Sequence, residues 1–579
     1  MKKVLSYLKP YKIAIMIAYS CTFIELAAEL LLPFFLGKMI NEGVTNLNMN
    51  NIIFWGSIML GISCISLIVG ILNSYFASHT SNGFSYDIRE KLFDKIQAFS
   101  FTNLNQYPTS ALVTRFTDDV RQIQNTIFMG LRIMIRAPLM VIGGVLMAFY
   151  INFKLASIFL ITVPLLIFFI FCVLKKAGNM FKQVQERVDT VNRVMQENLG
   201  GMRLIKAFLR RTFEENRFMK ANQELATKTR STFRFVEGSM PVLLFVMNLS
   251  LIFIIWLGNI HSVAGNTDVG DVVAVINYAL RIAMSISMFT FLTMAFSRMK
   301  ASAGRIAEVL DVDVDLVDHK DASQETSVKK GKIEFKDVSF TYPGYDKPIL
   351  NHLSFTVHQG EKLAVIGATG SGKTTLFQLI PRLYDVHDGK IYIDDQPISE
   401  YRLEQLRNSI GYVPQSPLLF SGTVLDNISW GKETASKAEI IQAAKDAQIH
   451  ELIMGLPHQY ETAISQRGVN LSGGQKQRIS IARALVRNPK ILMFDDSTSA
   501  LDLATESRLL DAIDHYQCTT LIISQKIATA MRADRILLMN HGELLAIGTH
   551  DELLKKSNLY KRIVESQFGE ELPIVHEGN

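Results

Sequence analysis

Residues 363–374 read Leu-Ala-Val-Ile-Gly367-Ala368-Thr369-Gly370-Ser371-Gly372-Lys373-Thr374, and Thr375 follows. A short apolar run of strand character leads straight into a GxxxxGK[ST] loop, and a helical pattern comes after it, which is the context that gives this motif meaning. The glycines let backbone N–H groups turn inward around phosphate oxygens, and the start of the next helix adds the positive end of its dipole. Lys373 brings a point charge to the β- and γ-phosphates, and the Thr374 hydroxyl serves Mg²⁺. Chance matches to such a loop occur, so it needs a partner. Residues 491–496, Ile-Leu-Met-Phe-Asp495-Asp496, supply one. This is a buried apolar strand ending in carboxylates, where a phosphate-loop fold sets its Mg²⁺-associated acid. Asp495 takes that role. A strand followed by an acidic turn explains either stretch alone, but not both in one domain.

Outward from this pair, short β-rich runs at 363–366, 391–393, 491–494, 520–523 and 536–539 alternate with helical patterns from Ile333 onward. The alternation predicts an α/β domain over 333–570, with a largely parallel sheet covered by helices. Polar residues 311–332 read as a linker, and 571–579 as a tail. Upstream, over 1–310, the composition is different. Six apolar runs of ~20 residues, enough to cross ~30 Å of hydrocarbon as a helix, lie at about 13–36, 52–76, 127–150, 155–174, 242–260 and 272–296. Buried helices of a soluble protein would not gather six such runs in one half, and the first is too long for a signal peptide.

The whole chain carries the same mixture: 579 residues, 48% hydrophobic and 20% charged, with a mean hydropathy of +0.18. The composition excludes disorder, collagen and a disulfide scaffold. A net charge of +6 is too mild to suggest nucleic acid as a partner. Cys21, Cys64, Cys172 and Cys518 show no CxxC spacing, and the first three sit in apolar runs, as small buried hydrophobes do.

Basic residues orient the membrane half. Residues 41–51 and 261–271 contain neither Lys nor Arg, whereas the long stretches after the second and fourth runs carry Arg89, Lys91, Lys95, Arg115 and Arg121, and Arg203, Lys206, Arg210, Arg211 and Arg217. The bias of Lys and Arg toward the cytoplasm places these stretches and both termini inside, with the lipid bilayer as solvent for the six runs. Apolar residues at helical spacing, such as Val184, Val188, Val191 and Met195, predict helices that continue beyond the membrane as stalks.

Leu471-Ser472-Gly473-Gly474-Gln475, followed by Lys476, Gln477 and Arg478, is the signature sequence of ATP-binding cassette proteins. With it the chain resembles an ABC exporter half-transporter over nearly its whole length: an all-α six-helix transmembrane domain followed by an α/β nucleotide-binding domain. The resemblance implies ATP and Mg²⁺ as ligands. Tyr342 in Phe340-Thr-Tyr-Pro343 matches the family's aromatic platform for adenine. Gln415 in Tyr412-Val-Pro-Gln-Ser416 matches the glutamine that senses Mg²⁺ and faces the membrane domain, and Ser499-Ala-Leu-Asp502 matches the D-loop. Ala111–Val120 resembles the first coupling region, Arg203–Phe208 and Glu214–Phe218 the second, and Gly270-Asp271 also fits. In the family two nucleotide domains pair head to tail, so Ser472, Gly473, Gly474 and Gln475 would complete a site on the opposite subunit.

The chain also departs from the family. Asp496 stands where Glu normally activates the attacking water, Gln525 in Ile523-Ser-Gln-Lys526 where His normally meets the γ-phosphate, and Gln466 where Glu is usual. One methylene less shortens the reach by about 1 Å, and a misplacement of ~1 Å can cost about a hundredfold in rate. Gln525 can hydrogen-bond but cannot carry a cationic proton. Two changes at the hydrolytic end beside intact binding residues match the degenerate half of bacterial heterodimeric ABC exporters of the multidrug type. The resemblance thus implies a second, different half-transporter as partner and amphipathic small molecules as substrates. A lipid or peptide exporter, a nucleotide-gated regulator or channel subunit, and a homodimeric pump with two sluggish sites are the alternatives.

Glu25 and Glu29 share a helix face in the first membrane run. They read as an attractor of cationic substrates, as partners of Arg132, Arg136 or Arg281, or as groups placed at the outer headgroups. Met284, Met288, Phe289 and Phe291 on the sixth run line an adaptable apolar pocket or simply pack.

Overall fold

A helix that is apolar all round has no face for water and must lie in lipid or a core. The computed structural model, which describes residues 1–264, 267–316, 318 and 327–568, has six helices among these residues that are long and apolar enough to cross a membrane. They are Lys3–Val44, Met49–Gln97, Thr109–Ile151, Phe153–Gly200, Arg211–Val263 and Val269–Met288. Large apolar side chains such as Leu67, Ile68, Ile161 and Trp256 face outward from them. Since ~20 residues cross the hydrocarbon, helices of 48, 49 and 53 residues extend well beyond it. The side chains of Phe289 and Phe291, residues 317 and 319–326 of the linker and the tail at 571–579 lie outside the described residues.

The chain divides into two units, Met1–Gln97 with Pro108–Val312, and Ala98–Tyr107 with the chain from Asp313 onward. In the first unit, buried polar groups lock helix to helix. Thr22 donates to the Leu131 carbonyl at 3.0 Å and accepts from Asn73 at 3.1 Å. Gly270 lies so close to the Gly37 carbonyl that an added Cβ would sit 2.2 Å from its oxygen, and its N–H donates to Asn41 at 2.7 Å. Small residues permit this approach, which gives Gly270 a packing role. Cys64 and Cys172 are exposed on their helices rather than buried, while Cys21 and Cys518 are buried; all four are free thiols. A lipid-facing position satisfies a small apolar thiol as well as a core does.

The segment Ala98–Tyr107 stands apart from the membrane helices on either side of it. The short helix Phe101–Asn105 belongs to the second unit, where Asn105 donates to the Tyr384 hydroxyl at 2.9 Å and Phe101 packs on the same ring. Ala111–Val120 instead lies in the first unit, with Arg115 paired to Glu308 and Asp119 to Arg305. Ser100 and Asn103 form a reciprocal cap that starts the short helix.

The second unit is built on a six-stranded sheet in the order β12-β11-β3-β10-β9-β6, where β3 is Lys362–Gly367, β6 Ile410–Val413, β9 Ile491–Asp495, β10 Thr519–Ile523, β11 Arg535–Asn540 and β12 Glu543–Gly548. All neighbours run parallel except β11 and β12. A separate antiparallel sheet orders β2-β1-β4-β5 (β1 Ile333–Phe340, β2 Leu350–Val357, β4 Asp388–Ile393, β5 Gln396–Pro397). The run 391–393 therefore belongs to this second sheet, a difference that a short apolar strand cannot reveal by itself. Gly422–Thr423 and Ala463–Ile464, β7 and β8, make a small ribbon.

Candidate active site

Parallel strands leave their carboxyl ends together, and the crevice beyond those ends is where open α/β sheets bind ligands. Here β3, β10 and β9 are neighbours, so the phosphate loop, Gln525 and Asp495-Asp496 arrive at one edge. They line a cavity of about 310 Å³ with Thr369, Gly370, Gly372, Lys373, Thr374, Thr375 and Gln415. Gly367, Ala368 and Ser371 form the loop's base: the carbonyls of Gly367 and Ala368 each accept from the Lys373 ammonium at 2.8 Å. Gly372 sits at φ +94°, and a Cβ there would lie 2.6 Å from Leu350 Cδ2. Only glycine fits that turn.

Asp495 is buried at 2% exposure. Thr374 Oγ1 donates to one of its oxygens and Tyr412 to the other, both at 3.0 Å. Burial pushes its pKa up, with the two hydrogen bonds opposing. Burial also lowers the Lys373 pKa, opposed by Asp496 and Asp495. Tyr412 was not among the residues expected here. It comes from β6, which pairs with β9 in register Tyr412↔Met493, a juxtaposition no local motif announces.

Asp496 differs from its neighbour. It has φ +48°, and its Oδ2 accepts from two side-chain amides, Gln415 Nε2 at 3.3 Å and Gln525 Nε2 at 3.1 Å. The three residues set apart in the sequence thus meet on one oxygen. The Ser499 hydroxyl donates to the Asp496 carbonyl at 2.9 Å, tying the D-loop to the same turn.

The residues fit Mg²⁺ and a nucleotide triphosphate. A hydroxyl, a carboxylate and an amide oxygen are the hard donors that Mg²⁺ takes, and it keeps waters and phosphates for its remaining positions. Accordingly, among the described residues no group of three or more His, Cys, Asp or Glu side chains is placed to hold a metal alone. Gly370, at φ +81° with open space around it, exposes backbone to the cavity.

Residues 15–286 match the family description "ABC transporter transmembrane region", and residues 350–499 match "ABC transporter". Over 99% of both chains the sequence is 54% identical to the uncharacterized ABC transporter ATP-binding protein YfiB of Bacillus subtilis (strain 168). The chain belongs to the ABC transporter family. This half-transporter, a membrane domain fused to an ATP-binding domain, is also 32% identical to a putative multidrug export ATP-binding/permease protein of Staphylococcus aureus (strain NCTC 8325 / PS 47), over 98% of this chain and 99% of that one. Its fold is that of an ABC exporter. A structure of a bacterial Atm1-family ABC exporter with ATP bound matches with a TM-score of 0.81 at 24% identity, covering 96% of this chain and 100% of the other.

Two predicted groups of the half-transporter lie apart from the cavity. Tyr342 does not line it; its hydroxyl meets Thr375 at 3.1 Å and Gln378 at 2.9 Å, and its ring packs edge-on against Phe340 and Tyr384. The signature residues do not line it either. Ser472 caps the helix Gly473–Leu485 in a reciprocal box with Gln475, whose side chain accepts from the Ser472 N–H at 2.8 Å. Ser472 and Gly473 are exposed, and a Cβ on Gly473 would meet nothing within 4 Å.

In the membrane unit, Glu25 and Glu29 both pair with Arg136, the former at 2.9 Å. The cationic-substrate reading therefore loses its free carboxylates, because one guanidinium already engages both. Glu29, Arg281, Met284 and Met288 line a cavity of about 390 Å³ there.

Proposed function

We propose that this chain is one half of a heterodimeric ATP-driven exporter in the cell membrane. Its nucleotide domain and both termini are cytoplasmic, and it moves amphipathic small molecules outward. Lys373, the loop amides and Thr375 would hold the phosphates, Tyr342 would supply an aromatic wall for the base, and Thr374, Asp495 and Gln415 would hold Mg²⁺, partly through water. Mg²⁺, when bound, neutralises charge between the β- and γ-phosphates. The Ser472-Gly473-Gly474-Gln475 edge, exposed at its first two residues, completes the partner's site, which is why it stands apart from this chain's own loop. An exposed apolar tip at Leu204 in the short helix Met202–Ala207 and at Phe208 and Leu209 just after it supports a docking role for the second coupling region.

The observation that carries the degenerate half is Asp496. Its carboxylate is one methylene short and is held by two neutral amides, and among the described residues no imidazole lines the cavity to take or return a proton. This chain's site binds nucleotide and turns it over slowly. Closure of the two nucleotide domains moves the membrane helices between inward- and outward-facing states, and export follows only because substrate affinity differs between them. Purification of the chain from its native membrane, followed by mass spectrometry, tests the assembly. Recovery of a second half-transporter bearing Glu and His at the positions of Asp496 and Gln525 supports it. Recovery of this chain alone, with brisk ATP hydrolysis, overturns it in favour of a homodimeric pump.

A further inference from the structure

The 390 Å³ cavity of the membrane unit is rich in positive charge. Arg132, Arg136 and Arg281 line it, and Glu29 is the one acid in its wall. Glu29 and the nearby Glu25 are both spent on Arg136. Arg132 lies over the Phe128 ring at 5.5 Å, and among the described residues neither Arg132 nor Arg281 has an ion-pair partner. Three guanidiniums face two carboxylates, and the surplus sits within helices that cross the membrane.

An uncompensated charge in a low-dielectric setting is costly, and an intramembrane ionisable group is kept where a ligand or pathway uses it. We propose that this cavity binds the anionic head of an amphiphile, with Arg132 and Arg281 as its recognition pair. This rests on the export reading above and names its substrate class. The guanidinium fork matches the two oxygens of a carboxylate or phosphate. Met284, 73% exposed, and Met288, 48% exposed, continue the wall outward as flexible apolar surface for a tail. The volume is at the small end of the ~300–1,000 Å³ typical of ligand pockets, so the cavity takes a head and the first methylenes while the tail runs along the methionines. A cationic head of the same size meets Arg132 and Arg281 as like charges and is rejected.

The test uses the full-length chain with its co-purifying subunit in phosphatidylcholine nanodiscs, without ATP. Equilibrium binding of radiolabelled decanoate is compared with that of decyltrimethylammonium, which carries the same tail and the opposite charge. Decanoate is expected to bind about tenfold or more tightly, and R132Q/R281Q to lose about tenfold or more for each arginine, the scale of a hydrogen bond to a charged group. R132K/R281K, which keeps the charge but not the fork, retains the preference for the anion in reduced form. Should the glutamine pair fail to fold, the two-ligand comparison and the lysine pair still decide the matter. Equal binding of both ligands, or tighter binding of the cation, overturns the proposal. Displacement of decanoate by added phosphatidylglycerol supports the site and identifies bilayer lipid as the source; indifference to it supports a free amphiphile. Because binding is read without ATP, a protein that binds decanoate but does not pump contradicts only the export reading, and one that pumps but ignores charge contradicts only this one.

Discussion

The two adjacent carboxylates at the end of β9 are chemically alike and placed unlike. Asp495 is buried between two hydroxyl donors, and burial raises its pKa. The folded chain thus holds that proton more tightly than the unfolded chain does. Nucleotide-free stability therefore falls as pH climbs from the ordinary carboxylate range through the raised value, and that fall is the cost of keeping the group ionised. Asp495→Asn removes it. The expected result is a Tm about 2 °C higher without ligand, with loss of the extra stabilisation that Mg²⁺-ATP gives the parent, both read by thermal unfolding. An unchanged or lower Tm without ligand would count against an electrostatic cost at Asp495. Asp496 predicts a different outcome: in a complex whose other subunit lacks its catalytic glutamate, Asp496→Glu raises single-turnover hydrolysis by about tenfold or more, by restoring reach. No gain would mean that reach is not what limits this site.

Elements carry these residues to their places, and here the chain was legible only in part. The phosphate loop, the β9 carboxylates and the signature could be read because each is a contiguous motif with a fixed chemistry. Tyr412 could not, since its contact with Asp495 depends on β6 lying beside β9. The place of the short helix Phe101–Asn105 in the second unit could not be read either, because it depends on a tertiary contact with Tyr384. The pairing of Glu25 and Glu29 was open in the sequence, where three arginines competed, and only packing selects Arg136. That triad ties the helix Lys12–Lys38 to the helix Arg136–Ile151. Arg136→Gln leaves two carboxylates without their counter-ion and is expected to cost about 1–3 kcal/mol, below the full scale for a buried ion pair because the triad is only part-buried. A clear drop in the thermal stability of detergent-solubilised protein checks this, whereas an unchanged Tm would show the triad to be solvated. In the nucleotide domain, Gly372→Ala forces a Cβ onto Leu350 at a positive φ. The expected loss is about 1–3 kcal/mol together with ATP binding, read by unfolding and by nucleotide retention on the same sample. Retained stability with lost binding would place the glycine's role in the ligand contact alone.

At the scale of the whole molecule, six apolar helices and a phosphate-loop domain were readable because their signals are repetitive and local. The proposed division of labour between two subunits rests on fewer letters, since it follows from one missing methylene and one missing imidazole beside intact binding groups. Exposed Ser472 and Gly473, and the apolar tip at Leu204 and Phe208, leave surfaces that a second half-transporter would cover. The most direct test of that division is single-turnover ATP hydrolysis by the purified two-subunit complex in which the other subunit's catalytic glutamate is replaced by glutamine. Hydrolysis is expected nearly to stop while Mg²⁺-ATP stays bound at the Lys373 loop; rapid hydrolysis surviving at that loop would contradict the division of labour.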